Sequence, residues 1–301
     1  MSKVIMFPGQ GSQYPGMARD LYEQNDKARE VLDQIFNAVD FDLKSIMFEE
    51  NEQLNQTEYT QPALFAHALA AHAALGVEAD YYIGHSLGEL PALVAAGVLS
   101  LEDGLKVVVK RGELMSQASE GGMAAVIGMD IETLTNLCAE FSTDDKRIAP
   151  ANLNAPDQVV ISGDLELIER FKEEGKTHGA RRVMPLNVSG AFHSHLMAPA
   201  KEKFAEFLDD VEFTHATTPV VQNFSAKDEE RILIIKQNLI EQLVSPVRFV
   251  ESIEHLKKLG ATEFIEVGPK KVLSGLIRKI DRDLVTKNVD TLSDLEGFVH
   301  E

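Results

Sequence analysis

Along most of the chain, short apolar runs alternate with longer stretches of helical periodicity. Val4–Phe7 is apolar and stops at Pro8-Gly9-Gln10-Gly11-Ser12-Gln13, which predicts a buried strand entering a glycine-rich loop. Leu21–Val39 is polar with helical spacing. Pro62–Leu75 is alanine-rich and predicts a buried helix with Pro62 in its first turn. Tyr81-Tyr82-Ile83 reads as a strand and Leu87–Ala96 as a helix. Leu101–Ser119 is a second helix, with Leu105, Val108, Val109 and Leu114 on one face. Such alternation predicts an α/β fold: a largely parallel sheet flanked by helices.

From Gly122 the rhythm changes. Met123–Ile127, Arg147–Leu153, Gln158–Ser162 and Ala180–Met184 read as strands, with helices at Ile131–Phe141 and Leu165–Glu174 and a turn at Asn154-Ala155-Pro156-Asp157. That βαββαβ order is the ferredoxin-like split unit. The expected division is therefore a small subdomain at 122–187 inserted into a larger domain made of 1–121 and 188–301. The larger domain resumes with helices at Lys201–Leu208, Glu229–Val244 and Val250–Leu259, a strand at Glu263–Val267 and a helix at Val272–Ile280. The acidic tail after Lys287 is expected to fray.

Composition narrows the function classes. The chain has 301 residues, 44% hydrophobic and 26% charged, and a net charge of −19. A nucleic-acid binder needs a surplus of Lys and Arg, so that class is excluded. One cysteine, Cys138, excludes an internal disulfide and points to a reducing cytoplasm. Neither the N-terminus nor the apolar stretches Ala63–Val77 and Ala92–Leu99 read as a signal peptide or a membrane span.

The chemistry concentrates in a few places. Gly84-His85-Ser86-Leu87-Gly88 stands between a predicted strand and a predicted helix, the setting of a nucleophile elbow. There the Ser86 hydroxyl would project outward, with the Leu87 N–H and the helix dipole available to an oxyanion. The alternative is a strand-to-helix turn in which Ser86 only caps the helix. Ser189-Gly190-Ala191-Phe192-His193-Ser194-His195 supplies two candidate bases where the chain leaves the small subdomain. The His-x-His spacing also suits a metal pair, but no third ligand accompanies it. His67 and His72 read as packing residues, and His178, His255 and His300 as solvated ones. Arg111, on an otherwise apolar helix, is either a snorkelling side chain or a fork for a substrate carboxylate. The Gly9-Gln10-Gly11 loop fails the dinucleotide pattern because Tyr14 stands where a third glycine is needed, and no P-loop is present. A second oxyanion donor, the Gln10 N–H, suits that loop better.

Phe7-Pro8-Gly9-Gln10-Gly11-Ser12-Gln13, Gln61-Pro62-Ala63-Leu64, Gly84–Glu89, Arg111-Gly112, Ala191-Phe192-His193-Ser194 and Glu266-Val267-Gly268-Pro269 occur in that order. Together they resemble the malonyl-CoA:acyl carrier protein transacylases over nearly the whole chain. The resemblance implies an α/β-hydrolase-like domain with a ferredoxin-like subdomain. It implies Ser86 as the acylated nucleophile, His193 as its partner, Gln10 and Leu87 as oxyanion donors and Arg111 as the malonyl carboxylate clamp. It further implies that the backbone carbonyl of Gln242 orients the histidine, so that a dyad needs no aspartate, and that Gln61, Phe192 and Asn154 line the pocket. Ala191-Phe192-His193 is similar to the triplet found in malonyl-selective relatives. Two positions depart from the family: Phe249 replaces a common tryptophan, and His195 a smaller residue.

The implied reaction moves a malonyl group from malonyl-CoA to the phosphopantetheine thiol of acyl carrier protein, through a malonyl-serine ester and without a cofactor. Rival readings are a serine esterase or thioesterase, a malonyltransferase of polyketide synthesis, and a non-catalytic carrier-binding module. Docking an acidic carrier on an acidic chain requires a basic patch. Between His255 and Lys287, eight lysines and arginines face four carboxylates, with Lys270, Lys271, Arg278 and Lys279 as the candidate contacts.

Overall fold

Register between two neighbouring strands places everything that follows. In the computed structural model, which describes residues 2–299, β1 (Ser2–Phe7) runs parallel to β2 (Tyr81–Gly84) with Phe7 opposite Gly84. Both strands therefore end at the same level, and the loops that leave them open side by side at the carboxyl edge, where α/β sheets keep their sites.

Between β1 and β2 the chain forms α1 (Arg19–Gln24), α2 (Asp26–Ala38), α3 (Leu43–Phe48) and α4 (Thr57–Leu75). The single helix expected over Leu21–Val39 is thus two. Asn25 adopts extended backbone between them, and its side chain accepts from Ala28 N–H to cap α2. α4 begins five residues before Pro62, so that proline lies inside the helix and not in its first turn. The polar run Thr57-Glu58-Tyr59-Thr60-Gln61 hid this start, although Thr57, Thr60 and Gln61 are buried. After β2 come α5 (Glu89–Ala95) and α6 (Leu101–Gln117).

The next segment holds β3 (Gly122–Ile127), α7 (Ile131–Phe141), β4 (Ile148–Ala155), β5 (Gln158–Gly163), α8 (Leu165–Glu174) and β6 (Arg182–Pro185). Its strands form an antiparallel sheet in the order β4-β5-β3-β6, the split βαββαβ arrangement read from the sequence. Strand alternation divides the work of β3: Ala124 and Val126 pack under α7 and α8, while Met123 and Ala125 join Met115, Phe192 and Met197 on the opposite face. That second face roofs the site. β4 runs two residues further than expected, so Asn154 belongs to a strand and not to a turn.

The remainder contains α9 (Ala198–Leu208), β7 (Val220–Gln222), β8 (Lys227–Glu229), α10 (Ile232–Glu241), α11 (Phe249–Lys258), β9 (Ala261–Val267), α12 (Val272–Ile280), β10 (Val285–Val289) and α13 (Leu292–Val299). The larger sheet has the order β10-β9-β1-β2-β7-β8, parallel except at β8. Helices on both faces bury two apolar clusters, one around Phe7, Phe65, Leu90 and Val107 and one around Val4, Ile83, Phe264 and Ile277.

Two further expectations change here. Glu229 belongs to β8 rather than to a long helix, since the short β7–β8 hairpin carries no alternation long enough to read. Between Lys287 and Val299 the chain does not fray: β10 pairs with β9, and Leu295 of α13 is buried. Its acidic residues act as local acceptors, Asp290 for Tyr14 Oη–H and Lys270 N–H, and Asp294 for the N–H groups of Asp290 and Thr291. His300 and Glu301 lie outside the described residues.

Candidate active site

Gly84 and Gly88 make the turn after β2 possible. A Cβ on Gly84 would sit 1.8 Å from the Gly88 carbonyl carbon, and one on Gly88 would sit 2.0 Å from Phe7 O. Only hydrogen atoms fit there, so the elbow presses against the end of β1. Ser86 at its apex has φ +52°, a conformation that costs a non-glycine residue about 1–2 kcal/mol. The surroundings hold it there: Asn223 Oδ1 accepts from Ser86 N–H at 2.7 Å, and Asn223 Nδ2–H donates to Gly84 O at 2.6 Å.

His193 is the second strained residue, with φ +57° in the buried segment before α9. Its Nε2 lies 2.7 Å from Ser86 Oγ and its Nδ1 lies 2.8 Å from the backbone oxygen of Gln242. A carbonyl oxygen only accepts, so Nδ1 carries the proton and Nε2 faces the serine hydroxyl as a free base. Burial, reinforced by the nearby Arg111 charge, pushes the imidazole pKa down to about 3. The ring is therefore neutral at neutral pH. His195, two residues on, is 40% exposed and lies 3.3 Å from Asp164 Oδ2, turned away from the serine.

Arg111 reaches the same point from α6 and is almost fully buried. Its Nη1–H donates to Gln61 Oε1 at 2.8 Å, and its Nη2–H to Gln242 Oε1 at 2.9 Å and to Ser86 Oγ at 3.1 Å. Its Nε finds no partner. Desolvation pulls the guanidinium pKa down to about 10, partly offset by Glu89, so the group stays charged at neutral pH. A buried fork with spare donors beside a serine hydroxyl has the geometry and charge to receive a carboxylate.

These groups open into a cleft of about 460 Å³ between the two sheets, lined among others by Gln10, Gln61, Ser86, Leu87, Arg111, Asn152, Phe192 and His193. Phe192 packs with Met115 of α6 and with Met123 and Ala125 on the second face of the small sheet. Gln10 is held by Thr57, whose Oγ1 accepts from Gln10 Nε2–H at 3.1 Å. Asn154, expected in the pocket, does not line this cleft: its Oδ1 accepts from His85 Nε2–H at 2.7 Å beneath the elbow, and Asn152 of the same strand lines the wall. His85 itself, missed in the sequence because it hides inside the elbow motif, also packs against Phe249 with the rings tilted and their centroids 5.7 Å apart. Glu89 and Asn223 were missed as well. Neither carried a motif of its own, and both act through hydrogen bonds that only the fold creates.

Of the four candidate basic residues, Lys270 is tied to the cleft lining, donating its Nζ–H to Gln13 O at 3.2 Å, and Lys271 beside it is exposed. Arg278 and Lys279 lie at the far end of α12, bonded to Thr286 and Gln158. Among the described residues, no cluster of three or more His, Cys, Asp or Glu side chains suits a metal ion, and no helix is long and apolar enough to cross a membrane.

The acyl transferase domain family matches residues 4–291. A malonyl CoA-acyl carrier protein transacylase of Staphylococcus aureus is 50% identical over 304 aligned positions, covering 99% of both chains. The crystal structure of the Streptococcus pneumoniae MCAT superposes with a TM-score of 0.94 at 39% identity, covering 99% of each chain. A type II PKS acyl-carrier protein in complex with its malonyl-transacylase gives a TM-score of 0.96 at 35% identity over 100% of this chain and 99% of that one.

Proposed function

The chain belongs to the acyl transferase domain family, and from that footing we propose that its cleft carries a malonyl group from malonyl-CoA to acyl carrier protein through an ester on Ser86. The observation that carries this reading is one oxygen with two partners: Ser86 Oγ lies 2.7 Å from His193 Nε2 and 3.1 Å from a buried Arg111 Nη2. Nucleophile, base and carboxylate receptor meet within hydrogen-bond reach.

Malonyl-CoA enters with its carboxylate on Arg111, which turns Nη2 from the serine to the substrate. As the Ser86 Oγ–H proton passes to His193 Nε2, Oγ forms a bond to the thioester carbon. Negative charge develops on the carbonyl oxygen near the backbone N–H groups of Gln10 and Leu87, each such donor typically supplying about 3–4 kcal/mol. The C–S bond then breaks, and the CoA sulfur takes the proton from Nε2. The phosphopantetheine thiol of the carrier reverses these steps, returning the proton to Ser86 Oγ. Only protons and an acyl group move between ester and thioester, so the reaction calls for no cofactor. Carboxylate binding also offsets the Arg111 charge that disfavours a protonated His193, which couples recognition of the substrate to activation of the base.

The Nδ1 partner of His193 is a carbonyl and not an aspartate, and the cleft is roofed by apolar side chains. Both features suit an ester meant to wait for a thiol rather than meet water. We assign the carrier to fatty-acid synthesis; a polyketide carrier is the second reading, favoured by the likeness to the type II PKS complex. The carrier would approach over Lys270 and Lys271 beside the cleft, with Arg278 and Lys279 as outlying contacts. The single buried thiol of Cys138, pushed up to about 12 by burial, fits a reducing cytoplasm.

Incubation with malonyl-CoA and phosphopantetheinylated carrier tests the transfer. Malonyl-carrier should form with little free malonate, whereas fast, carrier-independent malonate release would make the protein a hydrolase. Reversing the charge of Lys270 and Lys271 to Glu should raise the KM for carrier and leave that for malonyl-CoA unchanged; an unchanged carrier KM would move the docking surface elsewhere.

A further inference from the structure

Two buried titratable groups near the nucleophile have no direct counter-ion, and burial raises the pKa of one of them, Glu89, against the hydrogen-bond donors that favour its ionised form. Glu89, the first residue of α5, is fully buried, and among the described residues no Lys, Arg or His lies within ion-pair distance of it. Its acceptors are filled by neutral donors: Oε2 by Asn223 N–H at 2.8 Å and Gln242 Nε2–H at 3.0 Å, and Oε1 by Gln222 Nε2–H at 3.2 Å. Arg111 likewise touches no carboxylate. What joins them is a single amide. Gln242 turns its Oε1 to Arg111 and its Nε2 to Glu89, Ser86 O and Asn223 Oδ1. With three acceptors on one side and a cation on the other, only one orientation of that amide is satisfied.

We propose that Glu89 is a positioning residue: through the amide of Gln242 it supplies the counter-charge that keeps Arg111 ionised and aimed into the cleft, at a distance that leaves the guanidinium edge open for the incoming carboxylate. A carboxylate at position 242 itself would pair with Arg111 directly and close the receptor; the intervening amide transmits the field without occupying the fork. The same residue also steadies the nucleophile and base. Asn223, whose N–H it accepts, holds Ser86 N–H, and the backbone oxygen of Gln242 holds His193 Nδ1–H.

The charged and titratable groups that face Arg111 are few. α5 presents Glu89, the segment before α9 presents His193, and the elbow presents His85 beyond it; α4 presents Gln61 and the turn after α10 presents Gln242, neither of which titrates. Removing the Glu89 charge therefore removes the one favourable long-range interaction that opposes desolvation of the guanidinium.

The inference rests on Arg111 as the carboxylate receptor, and the experiment separates the two. The pH dependence of kcat/KM for malonyl-CoA is measured from pH 6 to 11 for wild type and Glu89→Gln, with thermal melts to establish folding and Arg111→Ala run in parallel. In Glu89→Gln the alkaline limb should move to lower pH than in wild type, by about one unit or more, because the guanidinium loses the charge that opposes its desolvation. A folded Glu89→Gln whose alkaline limb stays in place overturns the proposal. If Arg111→Ala loses malonyl and acetyl transfer equally, the receptor reading itself fails, whatever Glu89 does. Should Glu89→Gln not fold, Glu89→Asp retracts the charge from Gln242 by one methylene and is read the same way: a smaller downward shift supports the proposal and an unmoved limb overturns it.

Discussion

Replacing Arg111 by alanine separates carboxylate recognition from the chemistry of the serine. The side chain is almost fully buried and spends its Nη donors on Gln61, Gln242 and Ser86. Two charge-assisted hydrogen bonds to a malonyl carboxylate would be worth about 1.5–3 kcal/mol each, and the truncated site would leave that carboxylate buried without a partner. A loss of about 3–5 kcal/mol corresponds to a fall of roughly 10²–10⁴ in kcat/KM for malonyl-CoA. Acetyl-CoA carries no carboxylate, so its slow transfer should change by less than about tenfold and the selectivity ratio should collapse. Arg111→Lys keeps the charge but offers a single-point donor on a shorter reach, and should lose roughly ten- to a hundredfold. Initial rates of carrier acylation with both donors, on protein shown to be folded by its melting transition, measure all three. Equal losses for malonyl and acetyl groups would refute the reasoning.

His193→Ala should slow single-turnover acylation of Ser86 by about 10²–10⁴, while His195→Ala, whose ring lies against Asp164, should leave it within a few-fold; the reverse order would reassign the base. Burial holds His67, His85 and His193 below their ordinary values and His72 at about 4, so below about pH 6.5 the unfolded chain takes up protons that the native state refuses. Stability should therefore fall as pH drops from about 6.5 towards 4, and His72→Gln should flatten that slope in melting curves; a melting temperature insensitive to pH in this window would contradict the burial argument. Gly88→Ala drives a methyl into Phe7 O and should yield little folded protein, whereas Gly275→Ala, with open space around its Cβ position, should melt near the wild-type temperature.

The architecture was legible where periodicity is long and strong. The βαββαβ unit and helices α7, α8 and α12 stand close to where the spacing of apolar residues put them, because each buries a continuous stripe or an alternating face. What the sequence concealed is short or polar. The three-residue strands β7 and β8 give alternation no room, and the opening turn of α4 is polar although buried. β10 and α13 look like a frayed acidic tail until Asp290 is seen to hold Tyr14 and the Lys270 backbone. The site divides the same way. Ser86 sits in a glycine-framed turn whose backbone demands mark it and His193 in the loop after Gly190, while the residue pattern alone left Arg111 between a snorkelling side chain and a receptor, and only the resemblance chose the receptor. Its surroundings were out of view: Gln61, Gln242, Glu89 and Asn223 come from four separate stretches, and nothing local in any of them announces a role in holding an arginine or a serine. The two histidines of the 193–195 loop were equivalent by spacing, and only the positive φ at His193 turns one ring inward and the other out to Asp164.

A brief exposure to malonyl-CoA in the absence of carrier, followed by proteolysis and mass spectrometry, interrogates the central claim most directly. One malonyl group should appear on the peptide that contains Ser86, vanish when phosphopantetheinylated carrier is added, and be absent in Ser86→Ala. Malonyl transfer to carrier that proceeds without any label on that peptide would contradict the account.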